Sequence, residues 1–330
     1  MLLCMRNFAK LALDNGGSIH PLIIPAEYTN GTGIMNPSIF VDGDKIRVII
    51  RHINYTFYHS EKKLFQHQWG PLTYVHPEND MHLRTHNYYC ELDDNYSITR
   101  FNKIDTSKFP DKELWDFVGL EDARIFKWND KLYISGVRRD LDRIGTGRME
   151  LCEIVVSENT VEEVDRFRIP PPNDPKSYCE KNWMPILDMP FHYVKWSNPT
   201  EVVKVDPETQ TSTTVQLGEF ISLPRDLRGG SQVLTVGDYY LTCTHEVDLF
   251  NSEVGRKDAR YYHRFIIWDK NWNLIFHTKE FNFMDGDVEF CIGMAKHNEN
   301  FLMTFGFQDN AAYLLRVPEN FMEKFINENN

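Results

Sequence analysis

Gly119-Leu120-Glu121-Asp122-Ala123-Arg124-Ile125-Phe126 sets three charged residues inside an apolar run, directly after a glycine. Trp128-Asn129-Asp130-Lys131 follows, then Leu132-Tyr133-Ile134-Ser135-Gly136-Val137. The stretch reads as strand, tight turn, strand. The second strand runs out into Arg138-Arg139-Asp140. Because hairpin strands run antiparallel, the start of one lies beside the end of the other, so both charge clusters fall at one end. Taken alone, this is a salt-bridged strand end. Recurrence along the chain argues for more.

The same plan returns four times. Asn36-Pro37-Ser38 leads into Ile39-Phe40-Val41, an Asp42-Gly43-Asp44-Lys45 turn and a strand ending near Arg51. Trp183-Met184-Pro185-Ile186 precedes His192-Tyr193-Val194. Arg228-Gly229-Gly230-Ser231 opens a strand whose partner ends at His245. Glu289-Phe290-Cys291 opens the last, whose partner ends at Gly306. Further strands are expected at 149–156, 200–205, 262–268, 272–276 and 311–317. Five hairpins leave about 66 residues to each unit, enough for a four-stranded sheet with long loops. Four-stranded sheets repeated around an axis make a β-propeller. The expectation is an all-β chain: one five-bladed propeller over residues 1–330, with 1–32 as a leader and 318–330 as a terminal helix and tail. Within the leader, residues 8–13 suit a short helix. Residues 60–118 are rich in histidine and aromatics and suggest a long loop over one face.

Composition narrows the function. The 330 residues are 42% hydrophobic and 13% aromatic, ample for a packed core, and the net charge is −12. An acidic surface argues against nucleic acid and against an anionic membrane patch. No run of 18 apolar residues exists, so no membrane span is expected. The six cysteines show no CxxC or zinc-finger spacing, and the amino terminus does not resemble a secretion signal. Reduced thiols and a cytoplasmic location are therefore the expectation. Nothing suggests a metal or a dinucleotide: HExxH, EF-hand and Walker patterns are missing.

In a propeller the inner strands run along the central channel, so their ends converge there. Asn36, Arg51, Asn54, Glu121, Asp122, Arg124, Arg138, Arg139, Lys181, Asn182, Arg228, His245, Glu246, Glu289 and Asp309 are the polar candidates. Tyr55, Trp183, Tyr239 and Tyr262 are the aromatic ones. Burying so many charges is costly unless they pair or do chemistry. Carboxylates beside aromatic rings suit sugars. Cleaving a glycosidic bond needs an acid for the leaving oxygen and a nucleophile, which can be water, a carboxylate or phosphate. Arginine and lysine would hold an anion. Arg228-Gly229-Gly230-Ser231 is a weak phosphate-loop look-alike and equally fits glycines at a bulge.

Gly119-Leu120-Glu121-Asp122-Ala123-Arg124 resembles the Glu-Asp-Pro-Arg signature of the β-mannoside phosphorylases and β-mannosidases, which are five-bladed propellers. Asn36-Pro37-Ser38, Arg51 with Asn54, Lys181-Asn182-Trp183, His245-Glu246, Tyr262 and Phe305-Gly306-Phe307-Gln308-Asp309 extend the likeness over most of the chain. The resemblance implies an inverting enzyme with Asp122 as proton donor, acting through a sugar hydroxyl. It implies no cofactor beyond inorganic phosphate as co-substrate. Arg51, Arg124, Arg139, Lys181 and Arg228 are then phosphate ligands. Glu246 or Glu289 would activate water in a hydrolytic member. Asn36, Arg51, Asn54, Glu121, Asn182, Trp183, His245, Tyr262 and Asp309 would bind an oligosaccharide or sugar phosphate, in a chain free to form homo-oligomers. Ala123 stands where the family usually has proline, and residues 228–231 and 289–293 suggest a divergent branch. A glycosyltransferase using an activated mannose, or a non-catalytic carbohydrate-binding propeller, are the alternatives.

Overall fold

The structure, a computed structural model, describes residues 6–55, 64–67, 70–73, 82–251 and 257–329. Five antiparallel blades surround a central axis. The first is Ile34–Asp42, Lys45–Ile53, Leu83–Leu92 and Ile98–Lys103. The second is Leu120–Trp128, Lys131–Arg138, Arg148–Val156 and Val161–Arg168. The third is Met184–Pro185, His192–Ser197, Thr200–Asp206 and Thr211–Leu217. The fourth is Leu234–Val236, Tyr239–Asn251, Lys257–Trp268 and Leu274–His277, extended by Phe281–Asn282 and Arg6–Asn7. The fifth is Glu289–His297, Asn300–Phe307 and Ala311–Pro318, and its outermost strand is Ser18–Pro21.

That last pairing corrects the expectation of a leader. Ser18–Pro21 lies antiparallel to Ala311–Pro318, with Ser18 opposite Arg316. The amino-terminal segment thus completes the last blade and closes the ring. The helix Phe8–Asp14, capped by the Asn7 side chain on the Lys10 N–H, drives Phe8 fully into the core. There it meets Phe265, Phe281 and Phe325, the last from the terminal helix Glu319–Glu328. The 60–118 stretch, part of which lies outside the described residues, holds the two outer strands of the first blade. Residues 104–118 then run along the second blade, from the bridge between Asp105 and Glu162 to the bond from the Leu114 N–H to the Asp140 carbonyl.

The inner strands bury both faces, because each blade packs on two neighbours. Ile125, Ile134 and Cys152 face the first blade. Their alternates Phe126, Tyr133 and Leu151 face the third. The five main apolar clusters therefore correspond to the five blade interfaces. This is why the strands read as continuous apolar runs rather than as alternation. Tryptophans pin the interfaces: Trp128 Nε1 donates to the Ile186 carbonyl (3.0 Å) and Trp268 Nε1 to Thr200 Oγ1 (2.8 Å).

The channel is plugged partway down. Gln232 donates through Nε2 to the carbonyls of Ile39 (2.5 Å) and Ile125 (3.0 Å), and its Oε1 accepts from Met294 N–H (3.2 Å). One side chain thereby ties the fourth blade to the first, second and fifth. Ser38 Oγ adds a bond to the Ala123 carbonyl (2.8 Å).

Candidate active site

The mouth above this plug is built from the first turns of the inner strands. Those turns share a conformation. Asn36, Asp122 and Asn182 lie at φ of 43°, 52° and 59°, in the left-handed region that Asn and Asp tolerate best. Asn36 and Asp122 sit where the ladders shift register, between Met35 and Ser38 and between Glu121 and Arg124. The extra residue of such a bulge leaves the ladder, and its side chain is re-aimed. Asp309, at φ 48°, makes the same excursion after the fifth blade's second strand. Close approach at Asn36 needs Gly306, where a Cβ would meet Asn36 Oδ1 at 2.2 Å.

Asp122 is held from two sides. Asn36 Nδ2 donates to its Oδ1 at 2.8 Å and Arg51 Nη1 at 2.9 Å. Arg51 also reaches Glu121 Oε2 (3.3 Å), Thr85 Oγ1 (3.2 Å) and the Tyr55 hydroxyl (3.5 Å). Burial alone would raise Asp122, but Arg51, the Asn36 amide and Arg124 outweigh it and leave the carboxyl below its ordinary range. Arg51 is buried too, which lowers its affinity for a proton. Asp122 and Glu121 more than reverse that. Arg124 crosses the channel: Nε donates to the Gly230 carbonyl (2.7 Å) and Nη1 to the Asp122 carbonyl (3.0 Å). Its burial brings it down to about 10, and its Nη2 has no hydrogen-bond partner among the described residues.

Asp309 behaves oppositely to Asp122. Burial pushes it up to about 6, with Arg51 pulling down and the Asp122 charge pushing further up. Two neighbouring carboxyls with separated proton affinities are a familiar acid–base arrangement. His245 and Tyr261 form the far wall. Their rings stack at 5.4 Å, and His245 Nδ1 donates to the Gly229 carbonyl (2.8 Å). Burial, His263, Arg228 and Lys181 keep His245 well below its ordinary value, so it is neutral. Tyr261 is raised by burial and by Asp309 and Asp122, with Arg228 opposing. Arg228 reaches the same mouth through its backbone pairing with His245, and Lys181 precedes Asn182, whose carbonyl packs against Gly229. Neither side chain makes an ion pair or hydrogen bond among the described residues. Arg139 lies at the rim, where Nε donates to the Gly145 carbonyl (3.0 Å) and Nη2 to the Tyr178 hydroxyl (2.8 Å). Asn182 is buried with an unpartnered Oδ1.

Six expected site residues lie elsewhere. Asn54 spends both amide atoms on backbone, donating to the His82 carbonyl (3.1 Å) and accepting from Arg84 N–H (2.7 Å). Trp183 is buried between the second and third blades, bonded to Glu180. Glu246 pairs with Arg264 and, at 3.6 Å, with Arg225. Glu289 clamps its own loop, accepting from the N–H groups of Phe283 (2.6 Å), Met284 (2.8 Å) and Gly286 (2.8 Å). Tyr262 lies under the Arg225 guanidinium, 4.4 Å from it. The cause for Glu246 and Tyr262 is the two-residue period. They oppose each other in the ladder and share the face away from His245. Tyr261, one residue earlier, takes the place expected of Tyr262. Pairing it with His245 on alternation alone was possible only once the register was known. Tyr239 is half exposed on the outside of the fourth blade, beside the terminal helix. Among the described residues, no group of three or more His, Cys, Asp or Glu is placed to hold a metal ion. No helix there is long and apolar enough to cross a membrane.

Fold and mouth together define a five-bladed propeller with a carboxylate–arginine centre at one end of its channel. In shape, the chain is structurally related to the β-mannoside phosphorylases and hydrolases of the GH130 family, at low sequence identity. A β-1,2-mannobiose phosphorylase from Listeria innocua superposes with a TM-score of 0.57 at 13% identity, covering 94% of this chain and 97% of that one. A second structure, from the GH130 family of mannoside phosphorylases that contains glycoside hydrolases targeting β-1,2 mannosidic linkages in Candida mannan, gives 0.55 at 13%, covering 88% and 85%. MPT-4, a mannose phosphorylase from Leishmania mexicana in complex with phosphate, gives 0.52 at 11%, covering 96% and 93%. No family model matches the sequence, and no curated protein matches it.

Proposed function

We propose that this chain is an inverting glycoside phosphorylase acting on β-mannosides. The observation that carries the proposal is a division of charge. Lys181 and Arg228 stand at the mouth without ion-pair partners among the described residues, near a carboxylate already fixed by Asn36 and Arg51. The two acids that would activate water in a hydrolase, Glu246 and Glu289, are engaged away from it. The mouth therefore favours an anionic nucleophile over activated water.

In the proposed step a phosphate oxygen attacks the anomeric carbon, the glycosidic C–O bond breaks, and the leaving oxygen takes a proton. A β-mannoside thus yields α-mannose 1-phosphate and a shortened acceptor. Asp122, oriented by Asn36 and Arg51, delivers the proton through a sugar hydroxyl. In the empty mouth it is ionised. A bound phosphate adds negative charge and a bound sugar removes water, and both raise a carboxyl. Asp309 carries a proton nearer neutrality and contacts sugar hydroxyls. The fixed Asp122 geometry supplies orientation and preorganised charge, both of which lower the barrier of such a step.

The test is incubation with β-1,2-mannobiose and phosphate, following mannose 1-phosphate. Its formation by the wild type, lost in Arg228→Ala, supports the proposal. Mannose formed without phosphate would assign hydrolysis instead, and nucleotide release from GDP-mannose would assign transfer.

A further inference from the structure

Tyr178 is 50% exposed at the rim of the mouth, and yet it is held in place. Its hydroxyl accepts from Arg139 Nη2 (2.8 Å), and its carbonyl accepts from the Gly147 N–H (3.0 Å). The Arg139 guanidinium lies 5.4 Å from the centre of its ring and 6.0 Å from that of Phe117. Phe117 packs against the cluster of Met35, Ile53, Tyr55 and Leu83, and the Tyr55 hydroxyl meets Arg51. On the other side only four residues separate Tyr178 from Asn182, so their Cα atoms are at most about 14 Å apart. The ring is therefore tied to two parts of the mouth.

Arg139 is itself anchored. Its Nε donates to the Gly145 carbonyl (3.0 Å), on a turn where Asp142 Oδ1 accepts the N–H groups of Ile144 and Thr146 (3.0 Å each). Trp115 packs so closely on that turn that a Cβ on Gly145 would approach its ring to 2.3 Å. Arg138, one residue earlier, points the other way and pairs with Glu150, Asp140 and Asp111 inside the second blade. Arg139 alone of the two is left to the rim, where it holds Tyr178.

Fixing a half-exposed side chain costs rotamer entropy and returns little burial. The gain comes when something covers the ring. A fixed tyrosine presents a flat, apolar face with an electron-rich centre. A pyranose chair offers the complement: its axial C–H bonds at C3 and C5 share one face, joined by C1 in the β-anomer. In mannose the axial O2 interrupts the other face. In the proposed reaction the mannosyl ring and phosphate fill the mouth, so the leaving sugar extends outward past Asp122 to the rim.

We propose that Tyr178 is the stacking platform for the leaving-group sugar, with Arg139 as its positioning residue. The acceptor is then a pyranose recognised by its C–H face. This rests on the glycoside reading above and names the residue that selects the acceptor.

Titration calorimetry in an Asp122→Asn background, where the ligand is not turned over, compares β-1,2- and β-1,4-mannobiose with mannose 1-phosphate. Tyr178→Ala should weaken the tighter-binding disaccharide by about tenfold or more, while mannose 1-phosphate, which does not reach the rim, changes less than about twofold. Tyr178→Phe keeps the ring and should lose less than about fivefold. Equal weakening of both ligands, a loss in Tyr178→Phe as large as in Tyr178→Ala, disaccharide binding unmoved by Tyr178→Ala, or no binding of either disaccharide overturns the proposal. Tyr178-dependent disaccharide binding in a protein that shows no phosphorolysis would reject the proposed reaction and leave the platform standing. Phosphorolysis whose acceptor KM is unmoved in Tyr178→Ala would reject the platform and leave the reaction.

Discussion

Asp309→Asn should stabilise this protein at neutral pH while leaving it unchanged in acid. Asp309 is pushed from 3.8 to about 6 by burial, Arg51 only partly opposing and Asp122 adding to the rise. Its side chain has no hydrogen bond or ion pair among the described residues. A difference of about two pH units between folded and unfolded chain is roughly 3 kcal/mol at ~1.36 kcal/mol per unit. The folded state holds its proton more tightly, so the contribution is fully present below about pH 4 and is lost as pH rises through about 6. Asparagine carries no charge at any of these values and tolerates the φ of 48°. Urea unfolding of both proteins from pH 4 to 8, with refolding as the reversibility check, measures the difference directly. The variant should gain up to about 3 kcal/mol at pH 7.5 and nothing at pH 4. A difference independent of pH, or a variant weaker at pH 7.5, would refute the argument.

Other consequences follow from the same geometry. Arg51→Met leaves the Asp122 carboxylate buried and unpaired, and should cost about 3–5 kcal/mol at neutral pH. The loss should shrink on acidification, because Asp122, no longer held down, takes up a proton; unfolding at pH 7.5 and 4.5 checks this. Gln232→Leu strips the bonds to Ile39, Ile125 and Met294, and should cost at least about 3 kcal/mol by chemical denaturation. Glu289→Gln places an amide donor against one of the loop N–H groups, costing about 2–3 kcal/mol, while activity per folded molecule stays within a few-fold. Collapse of turnover in stable Glu289→Gln protein would return that residue to the chemistry.

The blades were legible because every inner hairpin carries its own turn and apolar runs, and local pattern suffices for local pairing. Ring closure was not. The strand Ser18–Pro21 pairs with residues nearly 300 positions away, and nothing local in Ser18-Ile19-His20-Pro21 announces it. At the mouth, residues on the first turn of an inner strand were readable from repetition: Asn36, Asp122 and Asn182 occupy equivalent positions. Residues on second and third strands were less so, since facing depends on register. A single step separates Tyr261, in the wall of the mouth, from Tyr262, under Arg225. Glu246 and Glu289 could not be judged at all without their partners, because a carboxylate clamped by backbone N–H groups and a catalytic one look alike in sequence. Gln232 escaped notice because glutamine in a strand is ordinary, and only the axis makes it a tie between four blades.

The most direct test of the central claim runs the reaction in the synthetic direction. Mannose 1-phosphate is offered with mannose, glucose and N-acetylglucosamine as acceptors, phosphate release is followed, and Asp122→Asn is the control. A phosphorylase predicts acceptor-dependent phosphate release that Asp122→Asn abolishes while the protein remains folded. Phosphate release undiminished in Asp122→Asn, or none with any acceptor from an enzyme that frees mannose from β-mannosides in phosphate-free buffer, would contradict it.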